Sequence, residues 1–427
     1  MHAELTAPAK PPSPLHRVLA PWLDRLDLTC LRLTDGFMEL RGVAHAPVVR
    51  DLNLRADSLR VDSVAYRSRH RVLYAAAWTT RTGPAEVPLD PPYYRVGYAR
   101  LALATRPGEL RLTDAFLQPT LPIGAMARGK GHEVTRITAQ VPDVRLAGAD
   151  FGAFARYDDL IVTAVTLVRP RLRIEGDGRY RINSKLSIVT PEAVGHIPFR
   201  VDVRRIAVSG GQLDFWFIGT VSPHPGTMRV TRLSGTITSA TNDPARTSAA
   251  QPAVVHATGW LQDQCRVEAT AHLDFLDPQG RHRLTGSFGP APFAMLNPVS
   301  EPATLMQFKT GQSERIDVAR RGDRTHVSGT MRARSRGMNV RMLTPDLDQR
   351  LRTKIKSKAA NKLVLHDHNP DKPGEGLRVG RIESRRELRF SVFALWKQGL
   401  VAGLLTSFGV SEKMAQRTSE RKTEPGE

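Results

Sequence analysis

The sequence has only two cysteines, Cys30 and Cys265, in 427 residues. They are too few for a disulfide scaffold, and by themselves they cannot supply the four ligands of a structural zinc site. The first residues contain no basic segment followed by an apolar one, so they predict neither a secretory signal nor a membrane anchor. Apolar residues make up 41% of the chain, which is enough for a sizeable core, so we do not expect general disorder.

Sequence motifs for catalysis are also missing. The chain contains no G-x-S-x-G, no G-x-x-x-x-G-K-S/T, no H-E-x-x-H and no paired C-x-x-C segment. Asp158 and Asp159 are adjacent, but neighbours on a strand point to opposite faces, which does not suit acid–base work on one substrate. His366 and His368 have no evident third or fourth ligand, so their segment predicts a solvated turn. We therefore predict a protein without enzymatic activity, cofactor or metal.

Acidic residues are scarce relative to basic ones, with 42 Asp and Glu against 62 Lys and Arg, and the net charge is +20. Such a charge attracts anionic surfaces, whether phosphate-bearing lipid headgroups or nucleic acid, and its sign alone does not choose between them. Only 6% of residues are aromatic and no RNP, KH or zinc-finger motif is present, so base stacking and base readout have no support. A basic nucleic-acid-binding or scaffold protein is therefore kept only as the alternative interpretation of the charge.

A pattern of short apolar runs recurs at irregular spacing along the first half of the chain. Each copy has two apolar residues spaced by one, a turn residue such as Gly or Pro, and two more apolar residues spaced by one. The copies are Leu31/Leu33 with Met38/Leu40, Leu101/Leu103 with Leu110/Leu112, Val165/Leu167 with Leu172/Ile174, and Ile206/Val208 with Leu213/Phe215. We interpret them as hairpins or meander units of an elongated sheet, in which each unit buries its apolar face against its neighbours. An ordinary antiparallel sandwich has the same local pattern.

Composition and pattern divide the chain into four segments. Residues 1–14 predict a proline-rich extended leader, 15–323 a repetitive β-sheet region, 324–413 a distinct C-terminal region, and 414–427 a polar tail. A short amphipathic segment with Trp22 follows the leader. Further strands are predicted at 227–238, 254–260, 266–275 and 282–288, and a short helix around 293–296.

The C-terminal region has a recognisable order of elements. Two arginine-rich strands precede a basic helix, in which Leu347, Leu351 and Ile355 recur every four residues. A loop, a third strand and a nearly apolar helix follow. The predicted bounds are 329–336 and 338–342 for the first two strands, 366–376 for the loop, 377–382 for the third strand and 390–405 for the apolar helix.

This succession resembles the C-terminal region of bacterial AsmA-like proteins, which are grouped with TamB and the bridge-like lipid transporters. Five features within residues 324–413 carry the resemblance. They are the strand entry Gly329 to Met331, the basic helix, the Ala360-Asn361 pair, the Asn369-Pro370 loop and the closing helix from Arg389 to Leu404. Over the rest of the chain only the texture agrees. Members of the family usually begin with a transmembrane helix, and this sequence shows none at its start.

The resemblance implies a long curved β-sheet with an apolar inner groove, a place on the periplasmic side of the bacterial cell envelope, and a role in phospholipid transport or outer-membrane maintenance. It also implies phospholipids and the bacterial membrane surface as partners, with other envelope proteins as further possible partners. Together with the repeats, it leads us to predict a mainly β fold: an elongated, curved antiparallel sheet with an apolar groove, plus two C-terminal helices.

The aromatic run Phe215-Trp216-Phe217 is the candidate lipid-binding segment. A strand places Phe215 and Phe217 on one face and Trp216 on the other. The two phenylalanines would then line a groove for acyl chains. The alternative is that they belong to an ordinary sheet core, because residues that face a groove and residues that face a closed core have the same local pattern.

The helix predicted at 390–405 is the candidate membrane-interface element. Trp396 beside Lys397 favours headgroup depth, and Gly399 and Gly403 would permit close approach of a neighbour. The segment is short for a membrane span, which needs about 20 apolar residues. Three interpretations remain open: a plug at the end of the β-structure, an interfacial element, and a true span. The interface residues would be Phe390, Phe393, Trp396, Lys397, Leu400 and Leu404.

Overall fold

The computed structural model describes residues 13–39, 48–344 and 366–420. Of these described residues, 53% are in strands and 18% in helices, which confirms the predicted mainly β class. The α-helices are α1 (Leu15–Leu19), α2 (Ser63–Arg67), α3 (Ile123–Lys130), α4 (Phe151–Tyr157), α5 (Asn297–Thr304), α6 (Val392–Ser407) and α7 (Glu412–Ser419), and short 3₁₀ helices occupy Pro191–His196 and Phe293–Leu296.

Nineteen strands make up the rest of the regular structure in the described part of the chain. They are β1 (Leu26–Glu39), β2 (Val48–Val61), β3 (Ala75–Thr82), β4 (Ala85–Leu89), β5 (Tyr94–Tyr98), β6 (Arg100–Ala104), β7 (Glu109–Pro119), β8 (Thr135–Ala149), β9 (Leu160–Val168), β10 (Arg171–Asp177), β11 (Val201–Ile218), β12 (Pro225–Thr241), β13 (Ala253–Leu261), β14 (Cys265–Leu273), β15 (His282–Phe288), β16 (Ala291–Pro292), β17 (Met306–Gly322), β18 (His326–Met342) and β19 (Val379–Arg385).

All nineteen strands belong to one mixed sheet. The antiparallel order β1–β2–β3–β6–β7–β8 begins it, and the β4–β5 hairpin joins through β5 to β7. Both β9 and β10 lie between β8 and β11, antiparallel to β8 and parallel to β11. From β11 the order β12–β13–β14–β15–β17–β18–β19 is antiparallel throughout, with β16 beside β17. The predicted antiparallel sheet is thus interrupted by two parallel pairings.

The parallel pairing of β10 with β11 requires a crossover, because two parallel strands cannot be joined by a tight turn. Residues 178–200 form this connection. On its way it reaches the start of α6: the backbone N–H of Ser187 donates to the carbonyl oxygen of Leu388 at 3.0 Å, and that of Val392 donates to Val189 at 3.1 Å. The crossover therefore ties the middle of the sheet to its C-terminal end.

Only one of the four repeated patterns is a hairpin. Leu101/Leu103 and Leu110/Leu112 pair across β6 and β7 as predicted. The patterns around Asp35 and Gly210 instead lie within single strands, β1 and β11 respectively. Register shifts at both places mark β-bulges. Leu40, the last residue of the first pattern, is outside the described residues. The third pattern continues from β9 into β10 in the same direction, through Arg169 and Pro170. Asp35 (φ 51°), Arg169 (φ 51°) and Gly210 (φ 63°) all have the left-handed backbone that bulges and hairpin turns share, so the short pattern did not distinguish them.

The other predicted elements are largely confirmed. Strands β12 to β15 cover the four segments predicted between residues 227 and 288, although β14 ends at Leu273. The predicted strands 329–336 and 338–342 are one strand, β18, that continues through Gly337. The predicted helix at 390–405 is α6, and part of the predicted polar tail is helical in α7. The predicted basic helix and the Ala360-Asn361 pair lie outside the described residues.

The sheet curls around α6. This helix packs on β18 and β19, where Gly399 lies against Val327 and Ile382. Yet the Lys397 ammonium of the same helix lies 6.0 Å from the ring centre of Phe217 on β11. Five strands separate β11 from β18, which corresponds to about 29 Å along a flat sheet. Because a helix is only about 10 Å wide, strands β11–β19 must form a strongly curved half-barrel with α6 on its concave side.

The two largest clusters of buried side chains lie at the two ends of the sheet, and a smaller one surrounds Met126 of α3. Inside the half-barrel, α6 and the Phe293–Leu296 turn cover a core that includes Phe308, Val327 and Ile382. At the other end, α1 and α2 adjoin a smaller core around Ala56 and Tyr74. Within the described residues, no helix combines the length and the hydropathy that a bilayer crossing requires.

Candidate functional site

A row of apolar side chains runs across one face of the sheet. Residues directly opposite each other on neighbouring strands point to the same face, so the pairings alone define the row. In order from β1 to β15, its members are Leu33, Leu54, Thr80, Leu103, Leu110, Leu146, Val165, Ile206, Ile237, Val255, Ala271 and Leu284. Thr80 is the only polar member. We call this set the apolar row.

A second row lies two residues further along each strand on the same face. It runs from Leu101 on β6 through Leu112, Val144, Leu167, Val208, Gly235, Ala257, Ala269 and Gly286 to Val318 on β17. Its members on β12 to β15 are all Gly or Ala, and a Cβ atom at Gly286 would lie 2.9 Å from the carbonyl oxygen of Glu268, so small residues accommodate the close approach of these strands. The two rows together make a continuous apolar surface that is two side chains wide.

The apolar row is only partly covered. Ala271 is buried, Leu33 is 42% exposed, and the row members from Leu103 to Val255 are half-buried. Side chains that neighbours in the same sheet shield from the side, with no second layer above them, have this intermediate exposure. The middle of the sheet therefore has an accessible apolar face rather than a closed core.

The opposite face of the same strands is polar and rich in arginine. Arg111 and Arg145 are directly opposite each other on β7 and β8, an arrangement that like charges normally disfavour. Asp143 resolves the conflict, because its two carboxylate oxygens accept hydrogen bonds from both arginines at 2.7 Å. The bonds from Arg145 and Arg111 hold the pKa of Asp143 below its ordinary value, although burial opposes the shift. One face is thus charged and hydrated while the other is apolar.

The two predicted lipid-binding residues lie on the face of the apolar row. Phe215 is opposite Ile174 on β10 and Met228 on β12, and Phe217 is opposite Gly176. A Cβ atom at Gly176 would lie 2.8 Å from the Phe217 ring, so glycine allows the ring to lie on β10. Trp216 points to the other face, as predicted. A cleft of about 640 Å³ beside Phe215 has a mixed lining, in which Met228 and Met295 stand beside charged residues such as Asp214 and Arg229.

The predicted interface residues of α6 have different environments. Phe393 is 59% exposed and Lys397 is exposed, whereas Trp396 is partly buried. Leu400 and Leu404 pack against the core of the half-barrel. Phe390 precedes the helix, and its carbonyl oxygen accepts hydrogen bonds from the Arg386 guanidinium at 2.9 and 2.7 Å. Since α6 buries Leu395, Ala402 and Leu405 among others, its packing agrees with the plug interpretation.

A polar cluster lies where the apolar row meets α6. Arg320 on β17 is opposite Leu284, the last member of the row, and it is 6% exposed. Its Nη1 donates to the backbone carbonyl oxygen of Trp396 at 2.6 Å, and its guanidinium lies 5.4 Å from the centre of the Trp396 indole ring. Among the described residues, no carboxylate pairs with Arg320 and its Nε has no partner. Burial lowers its pKa to about 10.

Neither Arg320 nor its neighbour His282 was expected from the sequence to have a structural role. The sequence did contain a signal for Arg320, because it follows Ile316 and Val318 in the period-two alternation of β17 and so puts a charge at an apolar position. No local signal existed for His282, whose contact with Trp396 joins residues 114 positions apart.

Asn369 of the Asn369-Pro370 loop is fully buried and fixes that loop to β18. Its side-chain Nδ2 donates to the carbonyl oxygens of Ala333 and Arg378, both at 2.8 Å, and its Oδ1 accepts from the Arg378 N–H at 2.7 Å. The Asn369 backbone also exchanges two hydrogen bonds with Ser335. The loop therefore extends the sheet beside the part of β18 that β19 does not cover.

His366 and His368, considered above as metal ligands, each pair with a carboxylate, Asp371 and Asp367 respectively. In the part of the chain that the structure describes, no three His, Cys, Asp or Glu side chains come together as metal ligands would.

No protein-family model and no curated protein matches the chain.

Proposed function

We propose that this chain is a non-enzymatic lipid-binding protein of the bacterial cell envelope, which shields phospholipid acyl chains on the apolar face of its sheet. The observation that carries the proposal is the apolar row, which continues across twelve strands and remains accessible over its middle. A water-soluble protein gains nothing from such a face unless an apolar ligand covers it, because each exposed methylene group costs about 0.8 kcal/mol relative to burial.

The dimensions of the row suit acyl chains. Eleven strand spacings correspond to about 53 Å along the sheet. An acyl chain spans half of a hydrocarbon layer that is about 30 Å thick, so the row is long enough for more than one chain in series. The arginine-rich opposite face keeps the protein hydrated and would attract phosphate-bearing surfaces. The proposed transport role and envelope location of the protein rest on its resemblance to AsmA-like proteins.

Site-specific photo-cross-linking tests the groove directly. A photoreactive amino acid would replace Leu103, Leu146 or Leu167 on the apolar face, and the matched controls would carry it at Ala102, Arg145 or Thr166. Each control is the chain neighbour of a test residue and points to the opposite face. We expect cross-links to phospholipid, identified by mass spectrometry, only at the first three positions. Equal labelling at both sets, or none at the first set, would contradict the proposal.

The alternative, a basic nucleic-acid-binding or scaffold protein, has one supporting observation. Arg283 and Arg321 are directly opposite on β15 and β17, both are exposed, and neither pairs with a carboxylate among the described residues. Such a pair would suit a polyanion. Organic extraction and the ultraviolet absorbance ratio of the purified protein distinguish the two functions, because one predicts bound lipid and the other bound nucleic acid.

A further inference from the structure

Exposed apolar side chains are concentrated on three short segments at one end of the strands. The segments are residues 15–23, which contain α1, residues 63–74, which contain α2, and α4. We call them together the N-terminal rim. Its most exposed large apolar residues are Trp22 (75%), Val64 (67%), Tyr157 (65%), Leu73 (62%) and Phe154 (54%). Isolated exposed apolar residues are ordinary, but a contiguous group of them indicates an interaction surface.

Specific contacts hold the three segments together. α1 precedes β1, α2 follows β2 and α4 follows β8, so all three lie at the same ends of their strands. The His16 ring lies 5.1 Å from that of Tyr66, which joins α1 to α2. Arg156 of α4 donates to the carbonyl oxygens of Ser68 at 3.2 Å and Arg71 at 3.0 Å, which joins α4 to the loop after α2. The rim is therefore one surface.

N-cap hydrogen bonds hold α2 and α4 against the ends of the strands that precede them. Asp62 accepts a hydrogen bond from the Ala65 N–H at 2.6 Å and caps α2, and Asp150 accepts one from Ala153 at 2.8 Å and caps α4. Ala65 is buried beneath α2, while Val64 and Tyr66 on either side of it are exposed.

The rim is strongly basic. Residues 15–23, 63–74 and 151–157 contain five arginines and no Asp or Glu, and the flanking Asp62 and Asp150 are engaged as helix caps. Arg17, Arg67 and Arg69 are exposed, and none of these three pairs with a carboxylate in the described part of the chain. Aromatic residues, aliphatic residues and unpaired arginines on one surface match the interface of a bilayer, where Trp and Tyr lie at headgroup depth and arginines meet phosphate.

We propose that the N-terminal rim docks on a bilayer surface that carries anionic headgroups. This goes beyond the groove, since it assigns a separate surface through which the protein would meet the membrane. A second copy of the chain is a poor occupant, because it would bring the same excess of arginine against the first. Residues 1–12 are also unsuitable, because they offer only one carboxylate, Glu4, to five arginines.

Vesicle flotation of the full chain tests the proposal. We expect binding to phosphatidylethanolamine vesicles that contain phosphatidylglycerol, and much weaker binding to phosphatidylcholine vesicles. The triple variant W22S/L73S/Y157S should bind at least about tenfold more weakly, because three inserting side chains are lost. Neutralising Arg17, Arg67 and Arg69 to Gln should lower binding to the anionic vesicles about fivefold for each arginine and reduce its sensitivity to salt.

The matched control is L89S/V221S, which removes exposed apolar residues at the opposite ends of the strands and should bind as the unaltered protein does. Circular dichroism and melting establish that each variant is folded. Absence of flotation by the unaltered protein, or unchanged flotation by a folded rim variant, would overturn the proposal. So would a concentration-dependent dimer, seen by sedimentation, that the triple variant abolishes.

Docking and groove can fail independently. A rim variant should lose flotation while it keeps its phospholipid cross-links at Leu103 and Leu146. If cross-linking fails while flotation succeeds, the groove is wrong and the docking surface stands. If cross-linking succeeds while flotation fails, the groove stands and the rim is not a membrane surface.

Discussion

The indole N–H of Trp396 on α6 donates a hydrogen bond of 2.8 Å to Nε2 of His282 on β15. The other ring nitrogen of His282 lies 2.8 Å from the carbonyl oxygen of Gly280, so Nδ1 carries the proton and the imidazole is neutral. A proton on Nε2 would place two donors against each other. The contact between α6 and the sheet therefore requires a neutral histidine.

This contact makes stability depend on pH. Burial, with a smaller contribution from the Arg320 charge, lowers the pKa of His282 below its ordinary value of 6.5; Gly280, Asp323 and Glu192 oppose the shift without reversing it. The unfolded chain then binds a proton more readily than the folded chain, so the free energy of unfolding should fall as pH decreases through 6.5. Urea unfolding on either side of that pH should show a larger loss for the unaltered protein than for His282→Gln, whose amide oxygen can still accept from Trp396. Equal losses would contradict the assignment.

The approach of α6 to β19 gives a second prediction. A Cβ atom at Gly380 would lie 2.1 Å from the carbonyl oxygen of Gly403, a backbone atom that cannot rotate away. We expect Gly380→Ala to lower the free energy of unfolding by about 2–3 kcal/mol. Gly376→Ala is the control, because no atom lies within 4 Å of its added methyl group. Urea denaturation should separate the two variants, and equal stability would mean that α6 sits further from the sheet.

Asn369 gives a third prediction. Alanine there would leave two carbonyl oxygens and one N–H without partners in a fully buried position. We expect Asn369→Ala to lower the free energy of unfolding by about 3 kcal/mol. Asn369→Asp should be no better, because a carboxylate would face the carbonyl oxygens of Ala333 and Arg378. The control is Asn183→Ala, because the side chain of Asn183 accepts only one hydrogen bond, from the exposed backbone N–H of Lys185. This variant should change the free energy of unfolding by less than about 1 kcal/mol. Similar values at both positions would contradict the role of the buried amide.

Much of the fold could be predicted from the sequence because strand periodicity is a local property. The strands β12 to β15, the β6–β7 hairpin and α6 were all predicted from alternation or from helical spacing. The bulges in β1 and β11 were mistaken for turns, because a left-handed residue such as Gly210 serves both. The crossover at 178–200 was missed as well, since the parallel pairing of β10 with β11 has no signature in either strand alone.

The candidate site could be predicted only in fragments. Sequence identified Phe215 and Phe217 as facing one side, and it identified the apolar pairs of the repeats. It could not show that Leu103, Leu146 and Ile206 belong to one surface, because that depends on the register between strands distant in the chain. The N-terminal rim could not be predicted either, because Arg156 of α4 contacts Ser68, a residue 88 positions earlier in the chain.

The position of the two phenylalanines gives a fourth prediction. Replacing Phe215 or Phe217 with Asp puts a charge on the apolar face, so the amount of phospholipid extracted from the purified protein should fall severalfold. Trp216→Asp is the matched control, because this residue lies between them on the opposite face. Circular dichroism must show that the variants fold, since damage to the sheet would also release lipid. Equal lipid recovery from all three folded variants would exclude this part of the sheet from lipid binding.

The last prediction concerns truncation after Arg386, which removes α6 and α7. The helix covers Val327 and Ile382, both fully buried, and losing it would expose the inside of the half-barrel. We expect the melting temperature to fall by at least about 5 °C and the binding of an apolar dye to rise. Anionic vesicle binding should remain, because the N-terminal rim is intact.

A second truncation after Glu420 is the control for this experiment. It removes only the last residues, retains α6 and α7, and should match the full chain in melting temperature and in dye binding. If the truncation after Arg386 leaves the melting temperature unchanged and abolishes vesicle binding, α6 is a membrane element and the plug interpretation is wrong. A lower melting temperature with unchanged vesicle binding has the opposite meaning, because then the exposed Phe393 and Lys397 contribute nothing to the membrane contact.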